Sequence, residues 1–236
     1  MQKGKLYLIP VPLAEGAERA SYTVLHQDVI QRVREYVVEN EKTARKFLKT
    51  AGIKTPQNEL IIHDYGKHAR EKIDYNKLFA NIAKGADLGL MSEAGCPGVA
   101  DPGADIVLEA HRRGIQVVPL VGPSSILLAL MGSGFNGQKF TFHGYLPINK
   151  SERTRKIKEL EVQSRKENCT QIFIETPFRN NQLLAELLRT CQASTRLCIG
   201  LNLTSSDENI QTKTVKDWKN TSLDMHKIPA IFLLFA

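Results

Sequence analysis

Residues 88–103 read LGLMSEAGCPGVADPG, and the interpretation of the whole chain starts from this stretch. It opens with an apolar run, LGLM, which is typical of a strand covered on both faces in a parallel sheet. The glycines and prolines that follow predict a loop over residues 92–100, at the carboxyl end of that strand. Asp101 is then expected to cap a helix whose first residue is Pro102. Open α/β sheets bind ligands at such strand ends, although the same loop also suits an ordinary strand-to-helix connection.

The segments around this stretch continue the alternation of strand and helix. The predicted helix ends at Gly114, and residues 116–121 form the next apolar run. Such alternation is typical of an α/β fold. The same reasoning predicts further strands at residues 5–11, 36–38, 61–65, 171–175, 196–203 and 229–235, and helices around residues 27–34, 41–51, 78–82, 124–131 and 183–188.

Three consecutive segments resemble one enzyme family. They are GCPGVADPG at residues 95–103, QVVPLVGP at residues 116–123 and SSILLALMGSG at residues 124–134. On these segments the chain resembles the tetrapyrrole methylase family of S-adenosylmethionine (SAM) dependent methyltransferases. Within that family it is most similar to the ribosomal RNA small subunit methyltransferase I branch, which methylates a cytidine ribose 2′-hydroxyl in 16S rRNA.

The resemblance implies the fold, the cofactor and the assembly. The expected fold class is α/β, with a two-domain tetrapyrrole methylase-like architecture. An N-terminal domain, residues 1–119, is expected to contain a mostly parallel sheet, and a C-terminal domain, residues 124–236, a mixed sheet. The resemblance places the cofactor cleft between these domains. It also implies SAM as the cofactor and a homodimer. In-line methyl transfer from SAM requires no metal, so none is expected.

The composition is that of an ordinary globular protein with a basic balance. The chain has 236 residues, of which 42% are hydrophobic and 24% charged, and no apolar run approaches the roughly 18–20 residues of a membrane span. The start has no apolar signal-peptide stretch and the four cysteines form no CxxC pair, so we expect a cytoplasmic protein without structural zinc or membrane contact. The formal charge of +7 suits a polyanionic partner, for which the resemblance implies rRNA or the small ribosomal subunit.

Two carboxylates at predicted strand ends are hypothetical general bases, because a ribose hydroxyl is hardly acidic at neutral pH. Glu93 lies in the loop over residues 92–100, and Glu39 begins the segment ENEKTARKFL. That segment resembles the family's Ala-Glu-Asp-Thr-Arg-x-Thr-Arg-Lys-Leu-Leu run, with Asn40 in place of the usual aspartate. The alternative for Glu39 is a solvated or helix-capping role.

The resemblance assigns the cofactor contacts mainly to loops. Cys96 and Val99 would line the cofactor, and Ser124 and Ser125 would contact it, although both serines also suit helix capping. The full set that the resemblance implies is Pro10, Cys96, Val99, Ser124, Ser125, Tyr145, Thr176, Asn202 and Pro229.

A basic segment is expected to contact RNA. Residues 139–160, KFTFHGYLPINKSERTRKIKEL, resemble a Gly-Phe-Leu-Pro run and a basic helix in the ribosomal branch. Clustered lysines and arginines attract phosphates, but a solvated helix face explains the same charges. The predicted RNA-contacting residues are Arg45, Lys150, Arg153, Arg155 and Arg179.

Two further patterns are rejected as sites. His63 and His68 have neither i, i+4 spacing nor a carboxylate cluster, so we do not expect a metal site there. The sequence MGSGFNG at residues 131–137 fits GxGxxG, but it closes a helix instead of opening one, so we interpret it as helix termination.

Two other functions stay open. One is a SAM-dependent methyltransferase that acts on a tetrapyrrole or another small molecule. The other is an RNA-binding relative that has lost methyl transfer. The second is favoured by Asn40 and by residues 13–15, Leu-Ala-Glu, which depart from the Pro-x-Pro-x-Gly-Asn run of the ribosomal branch.

Overall fold

A computed structural model describes residues 3–66 and 73–236, and these residues form two compact units. The first unit ends at Ser124 and the second is Ser125–Ala236. Each unit contains its own five-stranded sheet. Within the described ranges, no helix has both the length and the apolar character needed to cross a membrane.

The N-terminal unit alternates short strands with helices. Short 3₁₀ turns at Gln57–Glu59 and Ile82–Lys84 lie between them. The elements are β1 (Lys5–Leu8), α1 (Glu18–Ser21), α2 (Val24–Arg32), β2 (Glu35–Val38), α3 (Glu41–Thr50), β3 (Ile61–Asp64), α4 (Tyr75–Leu78), β4 (Leu88–Met91), α5 (Ala104–Arg112) and β5 (Gln116–Pro119).

The strands of this unit form a parallel sheet in the order β3-β2-β4-β1-β5. Side chains that alternate along the strands enter two cores, one on each face. Leu90 packs with Ile106 of α5 on one face, and Tyr36 packs with Leu48 of α3 on the other. Helices therefore cover both faces, which explains the continuous apolar run in β4 and confirms the predicted parallel sheet.

The start of α5 corrects one prediction. Asp101 does not cap this helix, because α5 begins at Ala104 and its N-cap residue is Gly103, which makes no side-chain capping bond. Positive φ angles at Gly98, Ala100 and Gly103 prolong the loop past the aspartate. The end of the helix is confirmed, since Gly114 has a φ of 62°.

Other boundaries follow local chemistry. Asn40 caps α3 as predicted, because its Oδ1 accepts hydrogen bonds from the amides of Lys42 at 3.0 Å and Thr43 at 3.3 Å. The helix expected around residues 78–82 is wrong, since α4 ends at Leu78 and the next turn is 3₁₀. The strand predicted over residues 5–11 is shorter, because Pro10 lacks the amide that would continue the ladder.

The C-terminal unit contains longer elements and a mixed sheet. The elements are α6 (Ser125–Ser133), β6 (Phe140–Tyr145), α7 (Lys150–Glu167), β7 (Thr170–Ile174), α8 (Asn180–Thr190), β8 (Arg196–Leu201), β9 (Asn209–Thr214), α9 (Val215–Trp218) and β10 (Ala230–Phe235). The strand order is β6-β7-β10-β8-β9, with β6 and β7 parallel and the other neighbours antiparallel, as expected for this half. Gly134, with a φ of 71°, follows the last helical residue of α6 and confirms helix termination there.

Candidate functional site

The carboxyl edge of the parallel sheet carries most of the predicted site residues of the N-terminal unit. Pro10 lies just beyond β1, Glu39 directly follows β2, and Glu93 lies just beyond β4. Ser124 ends the segment that follows β5. Because parallel neighbours end at the same edge of a sheet, these residues lie on one side of the unit.

Hydrogen bonds join the loops at this edge. The amide of Val11 donates to the carbonyl oxygen of Gly95 at 2.9 Å, and the amide of Gly95 donates back to Val11 at 2.8 Å. The thiol of Cys96 lies 3.3 Å from the carbonyl oxygen of Pro123. The loops after β1, β4 and β5 are therefore held as one connected structure.

Close backbone contact in these loops depends on Gly122. A Cβ atom at this position would lie 2.1 Å from the Cβ of Pro10, so only glycine permits the two loops to approach. Burial raises the pKa of the Cys96 thiol, so Cys96 is protonated at neutral pH and acts as a weak donor. Val99 is 48% exposed at the tip of its loop and is available to a ligand.

The two predicted carboxylates have different surroundings. Glu39 is half-buried, whereas Glu93 is exposed and accepts a hydrogen bond from Thr43 Oγ1 at 3.3 Å. Thr43 belongs to the first turn of α3, so Glu93 links the loop after β4 to that helix. Both carboxylates remain hypothetical general bases.

Asp101 is a candidate functional residue that the sequence analysis missed. It is half-buried in the loop after β4, and burial together with the nearby charge of Glu93 raises the pKa of its carboxyl group, against a hydrogen bond from Ser92. An aspartate before a proline has the pattern of a helix cap, which concealed this position. Only the length of the loop shows that the side chain is not used as a cap.

The predicted cofactor residues of the C-terminal unit also share one sheet edge. Tyr145 ends β6 and pairs with Ile174 at the end of β7, just before Thr176. The register of β8 with β10 pairs Leu201 with Ala230, so the next residues outward on these strands, Asn202 and Pro229, lie at this edge too. Four residues far apart in sequence are thus brought to one edge.

Asn202 has an unusual backbone conformation at this edge. Its φ of 46° lies in the left-handed region, which asparagine tolerates better than most residues. Its amide donates to the carbonyl oxygen of Pro229 at 3.1 Å. Tyr145 is 60% exposed, and Thr176 is half-buried. Ser125, the first residue of α6, is also half-buried.

The basic helix α7 separates into exposed and buried cations. Lys150 and Arg155 are exposed. Arg153 is only 9% exposed, and its guanidinium pairs with Glu186 of α8 at 2.6 Å. The prediction that Arg153 contacts RNA is therefore corrected, because its charge is committed to a buried partner.

Two other predicted RNA contacts already have carboxylate partners. Arg179 is paired with Glu175 at 2.7 Å, and Arg45 is paired with Glu41 at 2.7 Å along α3. Both arginine side chains keep 30% of their surface exposed, although Nη1 of Arg45 also donates to the carbonyl oxygen of Gln57.

Nothing in the described part of the chain forms a metal site. No group of three or more histidine, cysteine, aspartate or glutamate side chains is arranged to hold an ion there. His63 instead bonds to the buried carboxylate of Glu35, with its Nε2 2.7 Å from Oε1. His68 lies outside the described residues.

Comparison with known proteins shows what this chain is similar to. The family model for Tetrapyrrole (Corrin/Porphyrin) Methylases matches residues 5–218. The Ribosomal RNA small subunit methyltransferase I of Vibrio cholerae is 30% identical over 206 residues, which cover 87% of this chain and 67% of that protein. The protein of the same name from Mesorhizobium japonicum is 31% identical over 214 residues, covering 89% and 67%.

A solved structure confirms the fold. The crystal structure of the methyltransferase CobJ matches with a TM-score of 0.62 at 17% identity, over 98% of this chain and 94% of that chain. The extent of the family match, together with the 30% identity over 87% of this chain, confirms the resemblance of residues 95–134. This chain belongs to the tetrapyrrole methylase family and is a methyltransferase of that family.

Proposed function

We propose that this protein transfers a methyl group from SAM to a ribose 2′-hydroxyl of RNA in the small ribosomal subunit. The supporting observation is that α7 begins shortly after Tyr145, so the exposed Lys150 lies near the sheet edge that carries proposed cofactor residues. A basic surface in that position suits a phosphate-rich acceptor. The relatives from two bacteria are named for small-subunit ribosomal RNA, which supports RNA as the acceptor molecule.

The residues at the two sheet edges fit SAM chemically. They offer hydroxyl, amide and backbone groups, which suit an adenosine and an amino acid, and SAM has no phosphate that would need a cradle. At Gly98 the nearest atom to an added Cβ would be 4.0 Å away, so the loop leaves space beside its backbone. The residues proposed to hold SAM are Pro10, Cys96, Val99 and Ser124 in the N-terminal unit, and Ser125, Tyr145, Thr176, Asn202 and Pro229 in the C-terminal unit.

Bound SAM supplies an electrophilic methyl group. The protein aligns the acceptor oxygen with this methyl group and excludes water. A carboxylate then takes the hydroxyl proton late in the transfer, and Glu39, Glu93 and Asp101 are the proposed bases. The raised pKa of Asp101 brings it closer to a neutral working pH. Unchanged turnover after the change Glu→Gln or Asp→Asn eliminates that residue as the base.

The proposal includes the cellular setting. We expect a cytoplasmic homodimer that contacts RNA through Arg45, Lys150, Arg155 and Arg179, without Arg153. Light scattering that gives the mass of one 26.4 kDa chain would remove the dimer from the proposal.

Transfer of labelled methyl groups tests the activity. The purified protein is incubated with labelled SAM and small ribosomal subunits that lack the modification, and the label is mapped after nuclease digestion. Label on a ribose oxygen supports the proposal, and label on a base contradicts it. Label on an added tetrapyrrole but not on RNA would show a small-molecule enzyme, and RNA binding without any transfer would show a relative that has lost activity.

A further inference from the structure

His26 connects helix α2 to the loop that follows β1. The imidazole is completely buried, and its Nε2 lies 2.8 Å from the carbonyl oxygen of Pro10. Thr23 caps α2 by accepting a hydrogen bond from the amide of His26, which fixes the histidine in the first helical turn. Because a carbonyl oxygen only accepts hydrogen bonds, Nε2 carries the proton and donates it to Pro10.

The surroundings of His26 keep it neutral and oriented. Burial lowers the pKa of His26, although the hydrogen bond to Pro10 opposes this shift. The imidazole stacks on Tyr22 with 4.6 Å between ring centroids and meets the edge of Phe47 at 6.2 Å. Burial, together with the nearby charge of Glu18, raises the pKa of the Tyr22 hydroxyl to about 12. At pH 7 the imidazole of His26 is therefore neutral. The rings of Tyr22 and Phe47 hold it in the orientation in which Nε2–H donates to Pro10.

A histidine beside Tyr22 and Phe47 has a free-energy cost that an apolar ring would not have. Its Nδ1 is buried and has no hydrogen-bond partner among residues 3–66 and 73–236. An apolar ring would pack against Tyr22 and Phe47 without leaving a buried nitrogen unpaired. What the histidine adds over phenylalanine is therefore the hydrogen bond to Pro10.

Pro10 lies where three loops meet. The next residue, Val11, forms the two-bond bridge with Gly95 of the loop after β4. Gly122, of the segment after β5, packs directly on the proline ring. A bond that fixes the carbonyl of Pro10 therefore limits the movement of all three loops, although His26 lies behind them in the core.

We propose that His26 is a positioning residue for the cofactor, which holds the loop after β1 in its SAM-binding form through the carbonyl of Pro10. This inference rests on the proposed SAM site and extends it to a side chain that does not touch the cofactor. It assigns part of the binding energy for SAM to preorganisation of a loop.

Three variants separate this role from packing. His26→Phe keeps the stacked ring and removes the donor, so the dissociation constant for SAM should rise by roughly tenfold, with a larger effect on KM than on kcat. His26→Gln restores an N–H donor and should return the constant to within about threefold of the native value. Tyr22→Phe is the matched control, because it keeps the ring stack and should leave SAM binding unchanged.

Amide hydrogen exchange gives a second readout that does not need the cofactor. His26→Phe should speed exchange at Val11 and Gly95, whose amides form the bridge, and leave unchanged the amide of Arg113, which follows α5 and donates to the carbonyl oxygen of Glu109. Native exchange at Val11 and Gly95 in His26→Phe overturns the inference, even if the melting temperature falls. If the native protein does not bind SAM, the proposed function fails, and exchange alone still decides whether His26 holds the loop.

Discussion

The sequence suggests one role for Arg153 and the structure another, because the structure pairs this residue with the buried Glu186. In the sequence, Arg153 is one of several cations in a basic run. In the structure, the guanidinium and carboxylate are 2.6 Å apart, and the side chains are 11% and 4% exposed. Hydrogen bonds from Thr154 and Arg153 hold the pKa of Glu186 below its ordinary value, although burial alone would raise it. The pair joins α7 to α8, so its role is structural.

Loss of one partner of this pair should be costly. Arg153→Met leaves the buried carboxylate of Glu186 with only the exposed Arg189, 3.9 Å away, and should lower the free energy of unfolding by up to about 3–5 kcal/mol. Arg155→Met, in the same helix but exposed, should change it by less than about 0.5 kcal/mol. Urea unfolding of both variants measures the difference. Equal stability of the two variants would contradict this interpretation of Arg153.

The pH dependence of stability should reveal the environment of Asp101. Burial and Glu93 raise the pKa of Asp101, so the folded protein keeps this proton at pH values where the unfolded chain has lost it. Ionisation of Asp101 therefore lowers the free energy of unfolding as the pH rises above the ordinary aspartate pKa of about 4. Asp101→Asn should raise the free energy of unfolding at pH 7, and the gain should disappear below about pH 4.

Denaturant unfolding at several pH values checks this expectation. The control is Asp105→Asn, at an exposed position in the first turn of α5, where loss of a carboxylate should lower stability slightly at pH 7. Lower stability of Asp101→Asn at neutral pH would show that its carboxylate is stabilising.

Individual residues differ in how far the sequence predicts them. The cap at Asn40 was predictable, because a capping bond needs only the next three residues. The roles of Arg153 and Asp101 depend on Glu186 and Glu93, and on the course of a long loop, which no local pattern contains. His26 was missed for the same reason, since its partner Pro10 lies in another element.

Strand β4 depends on a glycine at its centre. A Cβ atom at Gly89 would lie 2.7 Å from Cδ1 of Tyr36 and 2.8 Å from Cδ1 of Ile9. Tyr36 has no room to move, because its ring is fully buried and its hydroxyl donates to the carbonyl of Val33 at 3.1 Å. Gly89→Ala should therefore lower the free energy of unfolding by about 1–3 kcal/mol.

A second glycine provides the control for this prediction. At Gly137 an added Cβ would meet nothing within 4 Å, so Gly137→Ala should change stability by less than about 0.5 kcal/mol. Thermal unfolding compares the two variants. If Gly89→Ala melts like Gly137→Ala, β4 is less tightly packed than we describe.

Elements with a strong apolar pattern were predictable, and those without one were not. Strands β4 and β10 are continuous apolar runs, and the leucines of α8 recur with helical spacing, with Leu183, Leu184 and Leu187 buried. Strand β9 reads NIQTKT and is the outermost strand of its sheet. It is half exposed, so its sequence has no apolar run that would indicate a strand. Its hydrogen bonds to β8 determine it.

Over the whole molecule, RNA binding should depend on salt and on the exposed end of α7. Lys150→Glu and Arg155→Glu together should weaken RNA binding and reduce the slope of log K against log salt by roughly 0.7 per lost phosphate contact. Lys166→Glu, in the last turn of the same helix, is the control and should have little effect. Filter binding over a salt series measures both quantities, and salt-independent binding would contradict an RNA contact here.

The architecture as a whole was predictable because family resemblance and strand pattern agree. The parallel and mixed sheets follow the expectation, and the family match covers residues 5–218. What the sequence did not provide is the set of contacts that bring distant loops together, such as Pro10 with Gly122. The proposed site consists of such contacts, which no local sequence pattern contains.

Titration calorimetry with SAM and with its product S-adenosylhomocysteine tests the proposed cofactor site most directly. We predict micromolar binding of at least one of them, which corresponds to about −8 kcal/mol. Ser125→Trp should weaken binding at least roughly tenfold, about 1.4 kcal/mol. Ser194→Trp, before β8 at the opposite edge of the sheet, should leave it unchanged. Absence of heat from both ligands, with the protein folded, would contradict the account.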